Sequence, residues 1–373
     1  MNDFIPVNTP LFIGNEKKYL NECIDTGWIS SEGSFIKKFE DQFSEYCTRK
    51  HGIAVSSGSA ALDIAIKAIG IQDGDEVIVP TFTIISPVLS IIKAGGIPIF
   101  VDSEAYTWNM NLEHVEALIT EKTKAILVVH IYGLPVDMEK VMHLAAKYKI
   151  KVVEDAAEMH GQTVNERKCG SFGDISIFSF YANKTISTGE GGMLLCNDDE
   201  LAEASRKYRN LSFDPNYPRF VHFEKGWNYR MTNMQAALGL AQLEQIEKLV
   251  EKKRLIGDIY QNELSFLKNY GYHLPLTSTS FAKNIYWVFG LVAPTEKEKE
   301  KIVDHLNKNQ IGTRPFFWCM HEQPVLTSAE LKTKSSYPVA ERLARCGFYL
   351  PSGLGLTLDD LRRIVNSIKT MYA

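Results

Sequence analysis

The sequence predicts an α/β protein in which a mostly parallel sheet, with helices on both faces, is followed by a smaller α+β unit. Three observations predict it. From His51 to about Cys196, short apolar runs alternate with helical stretches, the pattern of successive strand–helix–strand units. From Thr232 the apolar spacing changes to that of one long helix, with Met234, Ala237, Leu238 and Ala241 on a common face. At 373 residues the chain exceeds one small core and suits two domains. These divide as residues 1–245 and 246–373, with the N-terminal segment able to pack on the smaller one.

The elements follow in order. A strand from His51 to Val55 runs into a helix from about Ala60 to Ile69. Glu76–Pro80, Ile97–Val101, Ala125–Ile131, Lys151–Glu154 and Ile175–Phe180 read as buried strands, and Met138–Tyr148 as a helix between two of them. Ligands of such sheets sit beyond the carboxyl ends of the strands. The helix that opens at Thr232 runs to about Arg254 and leaves the first domain. Ile285–Val292 reads as a strand and Lys297–Asn307 as a charged surface helix. The last helix opens on Thr357 with Asp360, which resembles a capping box, and buries Leu361, Ile364, Val365 and Ile368.

Composition removes several classes of function. Apolar residues make up 45%, charged residues 23%, and the formal net charge is −4. No basic footprint points to a nucleic-acid partner, and runs such as Glu251–Arg254 read as solvated helix faces. Six cysteines are scattered without a CxxC pair or zinc spacing. They read as reduced thiols of a cytoplasmic protein that binds no metal. Asp3 and Pro6 interrupt any apolar leader. No apolar stretch reaches the ~20 residues of a membrane span, the longest candidate, Ile84–Phe100, being broken by Pro87, Lys93, Gly95, Gly96 and Pro98.

Three stretches carry chemistry. Val55–Leu62 joins a strand to a helix through small residues. Free backbone N–H groups and the positive helix end then point at one spot, an anion site, and Gly58 lets a phosphate approach the backbone. Alone, the stretch reads equally as an N-cap by Ser59. Val152–Gly161 places Glu154 and Asp155 at the carboxyl end of a strand, where one acid faces a ligand above the sheet or caps the next turn. Gly173–Gly192 delivers a single lysine, Lys184, from an apolar strand into a loop of small residues. Partial desolvation there lowers the pKa of the amine and frees it as a nucleophile toward an aldehyde. Pyridoxal phosphate requires a phosphate cradle, a lysine and an acid beside its pyridine nitrogen. All three occur at strand ends of one α/β region. Other chemistries lack parts: there is no GxGxxG, GxxxxGK or GxSxG, and His321-Glu322 has no second histidine.

Longer runs carry a resemblance that extends nearly end to end. They are Thr26–Ser31, Ser57–Ser59, Glu76–Thr81, Glu154–Glu158, Phe178–Lys184 through Gly189–Gly192, Asn228–Asn233, and Arg314-Pro315 with His321. By them the chain resembles the DegT/DnrJ/EryC1/StrS family of sugar aminotransferases, and within it the GDP-perosamine synthases. The resemblance implies a fold-type-I aminotransferase, with a seven-stranded large domain and a small carboxyl-terminal domain. It also implies a homodimer with shared active sites. It makes Lys184 the Schiff-base lysine, Asp155 the partner of the pyridine nitrogen, and Glu158 the contact on the ring-hydroxyl side. Ser179 and the backbone of Gly58 and Ser59 become phosphate contacts, and Asn228 the phosphate contact lent by the neighbouring subunit. Arg314 and His321 fall to the substrate side.

The implied reaction transfers an amino group from L-glutamate to the 4-keto carbon of a nucleotide-linked 4-keto-6-deoxy sugar, for surface polysaccharide or O-antigen synthesis. The nucleotide is GDP by the nearest resemblance, with dTDP or UDP as the alternative. A non-catalytic regulator on the same fold is the other-class alternative, which Lys184 and Asp155 oppose. Some relatives carry histidine at the lysine position and act as dehydratases, so Lys184 favours transamination. One position departs from the family pattern: Ile84 stands where many members carry an aromatic stacked on the cofactor ring. Either Ile84 packs on the ring or Phe82 compensates, with plain core as the alternative for Phe82.

Overall fold

The computed structural model describes residues 4–214, 216–326, 331 and 336–372. Its large sheet is built from β1 (His51–Val55), β2 (Glu76–Pro80), β3 (Ile97–Val101), β4 (Thr123–Val129) and β5 (Lys151–Asp155). After a short ribbon, β6 (Thr163–Val164) with β7 (Arg167–Lys168), come β8 (Ile175–Ser179) and β9 (Gly192–Cys196). The strand order is β1-β9-β8-β5-β4-β2-β3. Only β9 runs against its neighbours; the remaining pairs are parallel. A mostly parallel sheet is covered on both faces. Accordingly Ile53, Val55, Val77 and Val79 enter one core cluster, and Ala54 and Ile78 enter the other. Helices Gly58–Ala68 and Ser86–Lys93 fill the first cluster. Helices Ser34–Tyr46 and Asn233–Leu243 fill the second.

The smaller unit holds the antiparallel sheet β10 (Phe289–Val292), β12 (Gly347–Leu350) and β11 (Arg314–Pro315), in that order. Helices Glu296–Lys308 and Leu358–Tyr372 pack on it through Ile302, Leu306, Ile364 and Ile368. The N-terminal segment joins this unit: Ile5 bridges Ile311, and the amides of Ser352 and Gly355 donate to Val7 O and Thr9 O, each at 3.0 Å. Thr357 and Asp360 cap the last helix reciprocally. Among the described residues no helix is long and apolar enough to cross a membrane.

Four expectations need correction. The helix from Thr232 to Arg254 is two helices, Asn233–Leu243 and Ile246–Glu263. At the joint, Glu244 accepts from Asn15 Nδ2 at 2.7 Å and Tyr19 Oη at 2.6 Å, while Gln242 Nε2 donates to Glu16 at 2.6 Å. These distant partners accompany the break where the local sequence carries no helix-breaking residue. The strand expected over Ile285–Val292 pairs only from Phe289, because Tyr286 adopts φ +50° and ends the extended run. Ser57, not Ser59, caps the helix after β1, accepting from the Ala60 amide at 3.1 Å. Finally, Lys253 is not on a solvated face. It lies on the stripe Ile246, Leu249, Val250, Lys253, Ile256 and Tyr260 that the helix buries.

That helix passes from one core to the other. Ile246 and Val250 belong to a core of the large sheet, Ile256 and Tyr260 to that of the smaller unit.

Candidate active site

Strand β5 sets the site by alternation, since successive side chains of a strand leave on opposite faces. Glu154 turns into the protein. It accepts from the amides of Gly170 and Phe172 at 2.6 and 2.9 Å and from Ser176 Oγ at 2.9 Å. His130 Nε2 lies 3.2 Å away. The Val136 amide donates to His130 Nδ1, so the ring proton sits on Nε2 and points at Glu154. Asp155 turns the other way, into a cavity of ≈450 Å³ at the carboxyl ends of the strands. One turn later, Glu158 lines the same cavity and accepts from the Tyr132 amide at 2.7 Å.

Lys184 enters from the loop after β8. Its amide donates to Tyr181 O, and its side chain is 11% exposed. Its Nζ stands 3.8 Å from Glu158 Oε1 and 4.0 Å from the centre of the Trp287 ring. The Trp287 indole N–H donates to Asn183 O at 3.0 Å.

The opposite wall is the start of helix Gly58–Ala68. Among the described residues the amides of Gly58 and Ser59 have no acceptor, as expected in the first turn. Gly58 packs so closely on Ser179 that a Cβ would stand 2.8 Å from Ser179 Cβ. Ser59 Oγ contacts Ser86 Oγ at 2.8 Å. Thr83 Oγ1 borders the cavity, buried and unpartnered among the described residues.

The structure therefore brings Gly58, Ser59, Asp155, Glu158, Ser179 and Lys184 to one cavity. It does not bring Asn228, Arg314 or His321 there. Asn228 is exposed and bridges Asn210. Arg314 borders an adjoining cavity of ≈530 Å³ that shares Tyr181, Asn183, Trp287 and Tyr349 with the first. His321 sits behind Thr81, with Nδ1 2.7 Å from Thr81 Oγ1 and Nε2 3.4 Å from Glu341 Oε1. Ile84 lines the cavity, whereas Phe82 is core, packed against Tyr132 and Phe316. Sequence reasoning missed Trp287, Tyr349, His130 and Thr83. The only signal for Trp287 was its place in an apolar run that reads as strand.

Burial dominates the electrostatics. It raises the Asp155 carboxyl to about 6 and the Glu158 carboxyl to about 7, against the pull of Lys184. It lowers the Lys184 amine, against the opposite pull of Glu158 and then Asp155. Desolvation of this kind makes an amine a readier nucleophile and proton carrier than an exposed lysine.

Residues 12–369 match the DegT/DnrJ/EryC1/StrS aminotransferase family. The chain belongs to this family. The GDP-perosamine synthase of Escherichia coli O157:H7 is 41% identical over 370 residues, 99% of each chain. That of Vibrio cholerae is 40% identical over 370 residues, again 99% of each. Among solved structures, S. venezuelae DesV in complex with a ketimine intermediate matches with a TM-score of 0.88 at 30% identity, covering 96% of this chain and 94% of that one. The chain is thus an aminotransferase of the fold-type-I architecture, and pyridoxal phosphate is its cofactor.

The cavity fits that group on features of its own. A helix start with two free amides faces it, and Gly58 leaves no side chain in the way. A buried carboxylate and a desolvated amine stand in the same space.

Proposed function

We propose that this DegT/DnrJ/EryC1/StrS member transfers the amino group of L-glutamate to the 4-keto carbon of a GDP-linked 4-keto-6-deoxy sugar, as a cytoplasmic homodimer with shared sites. One observation carries the reading: the buried Lys184 amine stands 3.8 Å from Glu158, in a single cavity with Asp155 and the free amides of Gly58 and Ser59.

Bound pyridoxal phosphate supplies an electron sink that allows a proton to leave the α-carbon of an amino acid. Lys184 Nζ would hold the cofactor through its aldehyde, and, freed from that bond, would serve as the base and acid that moves a proton to and from the α-carbon of the amino donor and the carbon of the keto sugar that takes the amine. The Asp155 carboxylate would stand at the pyridine nitrogen and stabilise a proton there, a positive partner that would offset the burial now disfavouring its ionised form. Glu158 orients the ring-hydroxyl side, and the amides of Gly58 and Ser59 with Ser179 Oγ bind the phosphate. Asn228 is exposed and outside its own cavity, the placement that a residue lent to a partner's phosphate site requires. Arg314 borders the adjoining cavity and is assigned to the substrate; His321, bonded to the buried Thr81, lines neither cavity and is given no role on the substrate.

The GDP link rests on the two synthases named above, each at least 40% identical over nearly the whole chain. All six cysteines are buried free thiols, which supports the cytoplasmic setting. A domain division at 245/246 belongs to the same proposal, since Ile246 opens the helix that passes between the two cores.

The test is incubation with L-glutamate and a panel of GDP-, dTDP- and UDP-linked 4-keto-6-deoxy sugars, reading the amino sugar by mass. Amino sugar from the GDP-linked substrate is expected, and turnover of only the dTDP- or UDP-linked sugars refutes the nucleotide. Borohydride should fix the cofactor to the peptide holding Lys184, and Lys184→Ala should abolish transfer. Undiminished turnover in that variant removes the role of the amine.

A further inference from the structure

Lys253 carries a buried amine that the reaction does not use. It is 2% exposed, and among the described residues it has no carboxylate partner. Its Nζ instead donates to two backbone carbonyls, Trp287 O at 2.7 Å and Ser352 O at 2.6 Å. Burial alone lowers its amine, to about 7. A buried lysine without a counter-ion is costly, so a buried leucine or methionine would serve a purely packing role better.

What it holds explains why it is there. The Trp287 ring lies against Lys184 Nζ at 4.0 Å, and its indole N–H bonds Asn183 O, the residue next to Lys184. Yet no sheet ladder fixes the Trp287 backbone. Tyr286 before it is left-handed at φ +50°, and pairing of β10 begins only at Phe289. The Lys253 amine supplies the donor that a ladder would otherwise give to the Trp287 carbonyl. The second carbonyl ties the same point to the segment after β12. There the Ser352 amide bonds Val7 O, and Ser352 Oγ accepts from the Phe289 amide at 2.9 Å. Thus one amine on the helix between the two cores gathers a cavity wall and the smaller unit.

We propose that Lys253 is a positioning residue for amino transfer: by holding the carbonyls of Trp287 and Ser352 together, it keeps the Trp287 indole against Lys184. The inference rests on the reading of Lys184 as the reacting amine. The indole confines Nζ to the side of the cavity facing Glu158 and Asp155 and shields it from water. Its ring face also attracts the ammonium form. Loss of the clamp lets the indole, and with it Nζ, drift from the reacting geometry.

The experiment is a double-mutant cycle on the holoenzyme with Lys253→Met, Trp287→Phe and both together. Each single variant should lower kcat, by about 10- to 100-fold for a displacement of about an ångström, with a smaller change in the KM for glutamate. Because Lys253 acts through Trp287, the double variant should be no slower than the slower single one. A second reading uses cofactor-free protein. Trp287 emission, taken as the difference between each protein and its Trp287→Phe counterpart, should shift when Lys253 becomes Met. Effects on kcat that multiply, or a Trp287 emission untouched by Lys253→Met, overturn the inference. If Lys253→Met does not fold, Lys253→Gln enters the same cycle under the same criteria. Borohydride labelling separates the failures. No label at Lys184 in the wild-type protein overturns the Lys184 reading itself, whereas labelling with multiplying effects overturns only the role of Lys253.

Discussion

Glu158→Gln should make the cofactor-free protein more stable, by an amount that grows from pH 4.5 and is full above about pH 7. A carboxyl that ionises near pH 7 in the fold, against an ordinary 4.5, penalises the folded state by about 3 kcal/mol once the pH exceeds both values, at ~1.36 kcal/mol per pH unit. The attraction to Lys184, 3.8 Å away, is already part of that value. The sign follows from proton binding. Between pH 4.5 and about 7 the folded chain holds the Glu158 proton and the unfolded chain does not, so this group's contribution is full below 4.5 and is lost as the pH rises through 7. Glutamine does not titrate, and its amide oxygen can still accept from the Tyr132 amide. Its NH₂ faces Lys184 and returns part of the gain, about 1 kcal/mol for a poorly matched buried polar group. The expected gain is therefore about 1–3 kcal/mol at pH 8, shrinking toward zero at pH 4.5. Urea unfolding of both proteins at one protomer concentration, from pH 4.5 to 8, reads the difference, and Asp155, present in both, cancels to first order. Parallel stability curves, or a variant less stable than wild type at pH 8, would refute the reasoning that burial dominates this carboxyl.

Two further variants probe the helix start at the cavity and the buried network around Glu154 on the other face of β5. Gly58→Val places a branched side chain where even a single Cβ would stand 2.8 Å from Ser179 Cβ; it should weaken cofactor retention on dialysis at least about tenfold, since both phosphate-facing groups must move, and unchanged retention would detach this helix start from the phosphate. Arg49→Met should cost about 3 kcal/mol in urea unfolding. It removes the donor to Gly170 O, Phe172 O and Gly173 O and to Ser176 Oγ, beside buried Glu154, and leaves buried acceptors and a carboxylate without their cation; a loss under about 1 kcal/mol would mean that other donors carry Glu154.

What the sequence makes legible here is what a strand and its immediate exit contain. All five residues of β2 and of β9 are buried, so strands covered on both faces show as unbroken apolar runs, and the large sheet can be read from them. Gly58, Asp155 and Lys184 are legible for a related reason. Each sits within a few residues of a strand's carboxyl end, where the sheet itself aims it at the ligand crevice. Alternation says that Glu154 and Asp155 part company, but not which faces the cavity. The decision lies in the Gly170 and Phe172 amides that claim Glu154, from a loop that no window around β5 contains. The unread parts share this distance. Trp287 reaches Asn183 across 104 residues, and Asn15 reaches Glu244 across 229. A capping serine among three neighbours is chosen by which one is extended, φ −164° at Ser57, not by its chemistry. Lys253 is the sharpest instance. Inside a run of four charges it reads as solvent-facing, yet the helical period that places Leu249, Val250 and Ile256 in the core places it there as well. Where period and charge disagree, the period is imposed by the backbone and cannot be evaded. The charge must then find donors or acceptors inside, and the carbonyls it finds at Trp287 and Ser352 are available only because the strand that should have paired them starts late or has already ended.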